Sequence, residues 1–197
     1  MNEVKIGSQI WMGQNLNNEI FQNGEKILSV NTKEDWMAAL QNKIPACCDY
    51  KDEKSNGEIY GKIYNWFAVV DPRNIAPNEW RIPLVKDWEI LVESIGLKNL
   101  IGKSLKHPDF WGDSAGSNEF GFSALPGGFR GSLGSSMDIN KRTGWWSASE
   151  WQPLSNKAWV VNLDSNIDTE NLSFKSFEIL KADVRMNGYY LRCLKNE

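Results

Sequence analysis

The stretch GFSALPGGFR, residues 121–130, separates two halves of the chain with different periodicities. Before it, apolar residues recur at helical spacing; from Ser123 onward they fall in short runs that alternate every second residue. The stretch itself admits two readings. Pro126 fixes one turn of backbone, Gly127 and Gly128 free the next, and Arg130 brings a charge, which together could cradle an anion. A phosphate cradle needs a helix N-terminus behind its glycines, whereas FRGSLGSSMDIN, residues 129–140, reads as loop and lacks the lysine and Ser/Thr of a P-loop. The glycines therefore read as frame, placed where the backbone approaches a packed tryptophan or turns with positive φ.

Upstream, VKIGSQIWMGQNL (4–16) predicts a hairpin, with Val4 and Ile6 facing Ile10 and Met12 across a Gly7-Ser8 turn, followed by a polar, Asn-rich connection. In NTKEDWMAALQ (31–41) Thr32 caps a short helix with Asp35 three residues on, and Trp36, Ala39 and Leu40 face inward. A short loop carrying Cys47 and Cys48 comes next, then a charged, glycine-broken loop (48–61) and a buried helical or irregular segment (62–70) ended by Asp71-Pro72. The clearest helix is PLVKDWEILVESIG (83–96). Its stripe is Leu84, Val85, Trp88, Leu91, Val92 and Ile95, and its wet face is Lys86, Asp87, Glu89 and Glu93. A weaker helical turn follows over 98–104. Downstream, WWSAS, AWVVNL, LSFKSFEIL and YYLRCL read as strands between long polar loops. Helices first and antiparallel strands after make an α+β domain, taken as one domain over residues 1–197.

Composition narrows the function classes. Ten Trp in 197 residues imply a core threaded with polar atoms, because each indole N–H wants an acceptor. A net charge of −3 with no stripe of Lys and Arg removes the electrostatic basis for nucleic-acid binding. No apolar run is long enough to span a bilayer, and Met1 to Leu16 lacks the basic start and apolar block of a signal peptide. Adjacent Cys47 and Cys48 resemble no zinc pair, and Cys193 sits in an apolar strand. The single His107 excludes three-histidine metal sites and reads as a surface turn residue before Pro108.

Seven blocks in order, IGSQIWMGQNL, YGKIYNWFAV, EWRIPLVKDWEIL, NEFGFSALPGGFR, GWWSASE, AWVVNL and YLRCL, cover nearly the whole chain. They resemble the Fibrobacter succinogenes major paralogous domain, a family common in secreted and surface lipoproteins of Bacteroidetes. That family is similar in layout to the formylglycine-generating-enzyme type of C-type-lectin-like fold. The resemblance implies an extracellular or cell-surface address and a terminal arginine strand that closes the domain. One position departs: the family usually has Thr where Leu84 follows RIP, and the lost helix cap costs about 1 kcal/mol unless another group replaces it. Asp87 in the first turn is the candidate replacement.

Trp11, Trp66, Arg81, Trp88, Gly127, Gly128, Trp145, Trp159 and Arg192 read as structural. Arg81 and Arg192 lie in apolar blocks, where a buried guanidinium must be hydrogen-bonded, tying loop carbonyls together or else holding an anion. Trp145 and Trp146 are consecutive, so in a strand they point to opposite faces. Trp151 is the indole expected at the surface, as a stacking platform or folded back over a loop. In NLDSNIDTEN (162–171) Asp164, Asn166 and Asp168 alternate as oxygen ligands for calcium would, without the glycine or terminal Glu of an EF-hand; a solvated loop is the competing reading. Formylglycine chemistry needs paired active-site cysteines that Cys47 and Cys48 do not match. The expectation is a noncatalytic binding module for a glycan or surface protein, needing no cofactor unless calcium, with Trp151, Asn166, Asp168, Arg185 and Asn187 on its ligand face. The alternatives are a structural, adhesin-type subunit and a hydrolase or formylglycine-type oxidase.

Overall fold

Gly7, at φ +59°, reverses the chain between β1 (Glu3–Ile6) and β2 (Gln9–Met12), pairing Glu3 with Met12 and Ile6 with Gln9. The computed structural model describes residues 2–96, 101–150, 158–165, 173–176 and 186–196. At the far end of the chain, β13 (Leu194–Lys195) pairs Leu194 with Trp11 of β2 and with Arg81 of β6 (Trp80–Arg81). The two ends thus share a four-stranded sheet in the order β1-β2-β13-β6.

The larger sheet is built mainly from the later strands. Its members are β3 (Leu28–Ser29), β4 (Ala46–Cys48), β5 (Ile63–Asn65), β7 (Gly127–Arg130), β8 (Ser136–Ile139), β9 (Arg142–Glu150), β10 (Ala158–Asp164), β11 (Ser173–Ser176) and β12 (Gly188–Tyr189). The order is β11-β10-β9-β7-β12-β5-β4-β3, with β8 hydrogen-bonded to β7. Most pairings are antiparallel, and β3–β4 and β7–β9 run parallel. Together with the five helices among the described residues, α1 (Lys33–Gln41), α2 (Lys54–Tyr60), α3 (Trp66–Val69), α4 (Val85–Ile95) and α5 (Ile101–Leu105), this is an α+β architecture.

Consecutive tryptophans decide where the core sits. Trp145 and Trp146 on β9 are both fully buried because each face of the strand has its own apolar cluster. Trp145 packs at 5.7 Å on Trp88, which lies 4.6 Å from Trp11, in one cluster; Trp146 meets Trp66 at 5.2 Å and Tyr189 at 4.9 Å in the other. Several described indoles find acceptors: Trp11 on Gln9 Oε1, Trp111 on the Ala124 carbonyl, Trp145 on Asn15 Oδ1 and Trp146 on the Tyr64 carbonyl. Trp36 and Trp88 do not: their N–H groups are buried without a hydrogen bond.

Gly127 and Gly128 open β7, where a Cβ on Gly127 would lie 2.6 Å from the Tyr190 hydroxyl and one on Gly128 2.1 Å from the Met137 carbonyl. Gly128 also holds φ +71°. The ring that requires the close approach is therefore a tyrosine, where a tryptophan was expected.

Several expectations are corrected. Cys47 and Cys48 lie in core strand β4, not in a loop. Residues 48–61 are not a loop throughout: a 3-10 turn (Tyr50–Asp52) leads into α2. Gly57 looked like a breaker, yet it stands inside α2 because a Cβ there would come 1.8 Å from Asp49 Oδ1. Residues 62–70 divide at Asn65, whose Oδ1 accepts from the N–H groups of Ala68 and Ala46, ending β5 and capping α3. On α4, Asp87 is buried rather than wet, forked by Arg81 (Nη2 to Oδ1, 2.7 Å), while Leu84 is exposed. An ion pair at the helix start outweighs the stripe.

The missing threonine cap on α4 is supplied from elsewhere. The Val85 N–H donates to Ser149 Oγ of β9 at 3.0 Å, and the Leu84 N–H donates to Asp87 Oδ2 at 2.7 Å. Ser149→Ala is therefore expected to cost about 1 kcal/mol in urea unfolding, and adding Leu84→Thr to recover it by returning the cap to its usual place. An unchanged midpoint for Ser149→Ala would show that the cross-strand cap contributes nothing.

Candidate functional site

The Asn-rich connection after β2 is pinned along its length. The Met12 N–H donates to the Cys193 carbonyl at 3.0 Å, the Leu16 N–H to the Leu191 carbonyl at 2.8 Å, and the Lys62 N–H to the Leu16 carbonyl at 3.1 Å. Asn15 is the anchor. Its Nδ2 donates to the Tyr60 carbonyl at 2.7 Å, and its Oδ1 accepts from Trp145 Nε1 at 2.8 Å and from Arg192 Nε and Nη2 at 3.0 and 2.7 Å. Arg192 Nη1 reaches the carbonyls of Met12 and Phe122. The guanidinium also lies over the rings of Phe122, at 4.5 Å, and Trp145, at 5.8 Å. Arg192 thus ties β2, the 121–130 block, β9 and the closing segment at one point, and burial pulls its pKa down to about 9.

Two clefts border this connection, and Gln14, Asn15 and Asn17 line both. The larger, about 430 Å³, combines the amides of Gln14, Asn17, Asn18, Gln22 and Asn78 with Ile20, Phe21 and Pro77. Asn18 Nδ2 is anchored on the Ile20 carbonyl at 2.7 Å and Gln22 Nε2 on the Ala76 carbonyl at 2.8 Å; Gln14, Asn17 and Asn78 are exposed. The smaller cleft, about 320 Å³, has Arg192 among its lining residues with Gly13, Gly61, His107, Phe110 and Ser123.

The residues singled out from the sequence fall elsewhere. Trp151, Asn166, Asp168 and Arg185 lie outside the described residues. Asn187 is half-buried, its Nδ2 3.4 Å from the Tyr189 hydroxyl. Asp164 is half-buried at the end of β10, opposite Arg142 in register. Among the described residues no three His, Cys, Asp or Glu converge as a metal site would require. Arg81 is partly exposed on Asp87, and Trp159 is half-buried; Trp11, Trp66, Trp88, Trp145 and Arg192 are fully buried. Gln14, Asn15 and Asn17 were read only as a connection. Their signal was the density of amides in QNLNN (14–18) between apolar anchors.

The cysteines are free and fully buried. Burial pushes the thiols of Cys47, Cys48 and Cys193 up to about 12, which leaves them protonated and poorly nucleophilic at neutral pH. Nor does any described helix have the length and apolarity to cross a membrane.

Fold and site together define an α+β domain with a tryptophan-rich frame and polar clefts along its first long connection. The chain belongs to the Fibrobacter succinogenes major domain family, whose model matches residues 4–195. No curated protein and no solved structure matches it.

The buried thiols make the fold sensitive to alkali from pH 9 upward. From an ordinary value of 9.0 up to about 12, the unfolded chain ionises each thiol and the folded chain does not, so stability falls as pH rises through that window. Each thiol contributes about 1.4 kcal/mol per pH unit there. Arg192, with its pKa lowered by burial, works in the opposite sense as the folded form deprotonates first, whereas the phenols of Tyr64, Tyr189 and Tyr190, raised by burial, add to the fall above their ordinary value of 10.0. Urea midpoints are expected to be flat below pH 9 and to drop steeply above it; a flat profile through pH 11 would contradict the thiol burial.

Proposed function

We propose that the protein is a noncatalytic binding module of C-type-lectin-like architecture that recognises a glycan at or outside the cell surface. The observation that carries the reading is the larger cleft, where side-chain amides are set among Ile20, Phe21 and Pro77. An amide offers a donor pair and an acceptor on one rigid plane, matching the adjacent hydroxyls of a sugar, while apolar neighbours suit the carbon face of its ring. The volume of about 430 Å³ is within the range of ligand pockets. The connection is fixed at Asn15, so exposed Gln14 and Asn17 are presented from a rigid base and little ordering entropy is lost on binding. The C-type-lectin-like reading draws support from the pairing of the closing strand β13 with β2. The surface address follows from the family resemblance.

A glycan array followed by titration of the hits tests the reading. Gln14→Ala with Asn17→Ala is expected to weaken binding about tenfold or more with no change in Tm, because both side chains are exposed. Loss with Trp151→Ala alone would move the site to the late loops. Binding to no glycan, with a protein recovered instead, would replace the lectin reading by the adhesin one.

A further inference from the structure

The smaller cleft has a property that the larger lacks: a buried cation with no counter-charge. Arg192 is 1% exposed, and no carboxylate among the described residues hydrogen-bonds to it. Its hydrogen bonds go to Asn15 Oδ1, twice, and to the carbonyls of Met12 and Phe122, all neutral acceptors. A guanidinium carries five N–H donors, so one N–H of Nη2 is left over by these four bonds. Carbonyl dipoles and the Phe122 ring soften the charge without cancelling it.

The surroundings leave room for an anion. Gly13 and Gly61 line the cleft with their N–H groups already bonded to the Asn2 and Gly57 carbonyls at 2.8 and 2.9 Å, and Phe110, 38% exposed, stands beside it. The carboxylate that borders the cleft, Glu58, is exposed, where solvent and salt screen it. His107 at the rim accepts the Asp109 N–H on Nδ1 at 3.1 Å, which leaves Nε2 as its other polar atom. Because Asn15 and two carbonyls fix the guanidinium plane, an incoming anion need not reorganise it. So little of Arg192 is exposed that only a small group entering by one oxygen reaches it.

We infer that this cleft binds the carboxylate of an acidic sugar residue, a hexuronate, with one carboxylate oxygen accepting the remaining Nη2 N–H of Arg192 and the sugar ring lying against Phe110. The inference rests on the binding-module reading and narrows its ligand. A neutral hexose would leave the donor unpaired and the charge uncancelled, so discrimination comes from the carboxylate.

The test is an NMR titration of the full chain with sodium D-glucuronate, D-glucose and sodium acetate, following the Arg192 Nε–H and the amides of Gly13 and Gly61 at the smaller cleft and of Asn18 and Gln22 at the larger. Glucuronate is expected to shift the Arg192, Gly13 and Gly61 signals saturably, with glucose and acetate each at least about tenfold weaker there. Phe110→Ala, which removes the exposed ring assigned to the sugar face, is expected to weaken glucuronate about tenfold at unchanged Tm and to leave acetate unchanged. That variant leaves Arg192 in place, so the result does not depend on a substitution the core cannot tolerate. Equal shifts from glucose and glucuronate, or acetate as strong as glucuronate, would overturn the hexuronate assignment. If neutral sugars move Asn18 and Gln22 while glucuronate leaves the Arg192 signals still, the glycan reading stands and this inference falls; if no sugar moves either set, both fall.

Discussion

The guanidinium of Arg192 is the joint on which the rest of the structure depends. It gathers Asn15, the Met12 carbonyl, the Phe122 carbonyl and the Trp145 ring, groups separated by up to 180 residues in sequence. Planar donors can satisfy several carbonyls at once, which a lysine's single ammonium cannot match in geometry. Asn15 is equally constrained, since its one carbonyl oxygen receives both Arg192 and the Trp145 indole. Removing either partner would strand buried polar groups that have no other outlet.

Around that joint the fold repeatedly solves local problems with distant residues. The α4 cap comes from Ser149 on β9, and Arg130 meets Asp52 and the Thr32 carbonyl. Lys62 is buried between Asp49 and Glu19. Such long-range closures make the core rigid where the first connection crosses it. The same rigidity is what a recognition surface needs, because side chains such as Gln14 and Asn17 stand on a backbone that does not have to be ordered on binding.

Much of the secondary structure was legible in the sequence, and the failures share a cause. The Gly7 hairpin, the Thr32-capped α1 and the helix α4 with buried Trp88 and Leu91 are local patterns, and each appears where its residues placed it. Gly57 and the charges around it suggested a loop, but the residue stands inside a helix, where a side chain would collide with Asp49. Asp87 was assigned to water by its position on the wheel; Arg81, six residues earlier, draws it inward. Periodicity reports what a segment prefers, and tertiary ion pairs override it.

By itself the sequence determined the α+β class, the family through its ordered blocks, the need for glycine at 127 and 128, and the opposite faces of Trp145 and Trp146. These depend on chain geometry and side-chain size, which adjacent residues carry with them. Only the tertiary structure decided that both of those tryptophans are buried, that α4 is capped from β9, and that Asn15 and Arg192 meet between two polar clefts. A hydrogen-bonded pair separated by 177 residues leaves no periodic trace, because what brings it together is the packing of every element between.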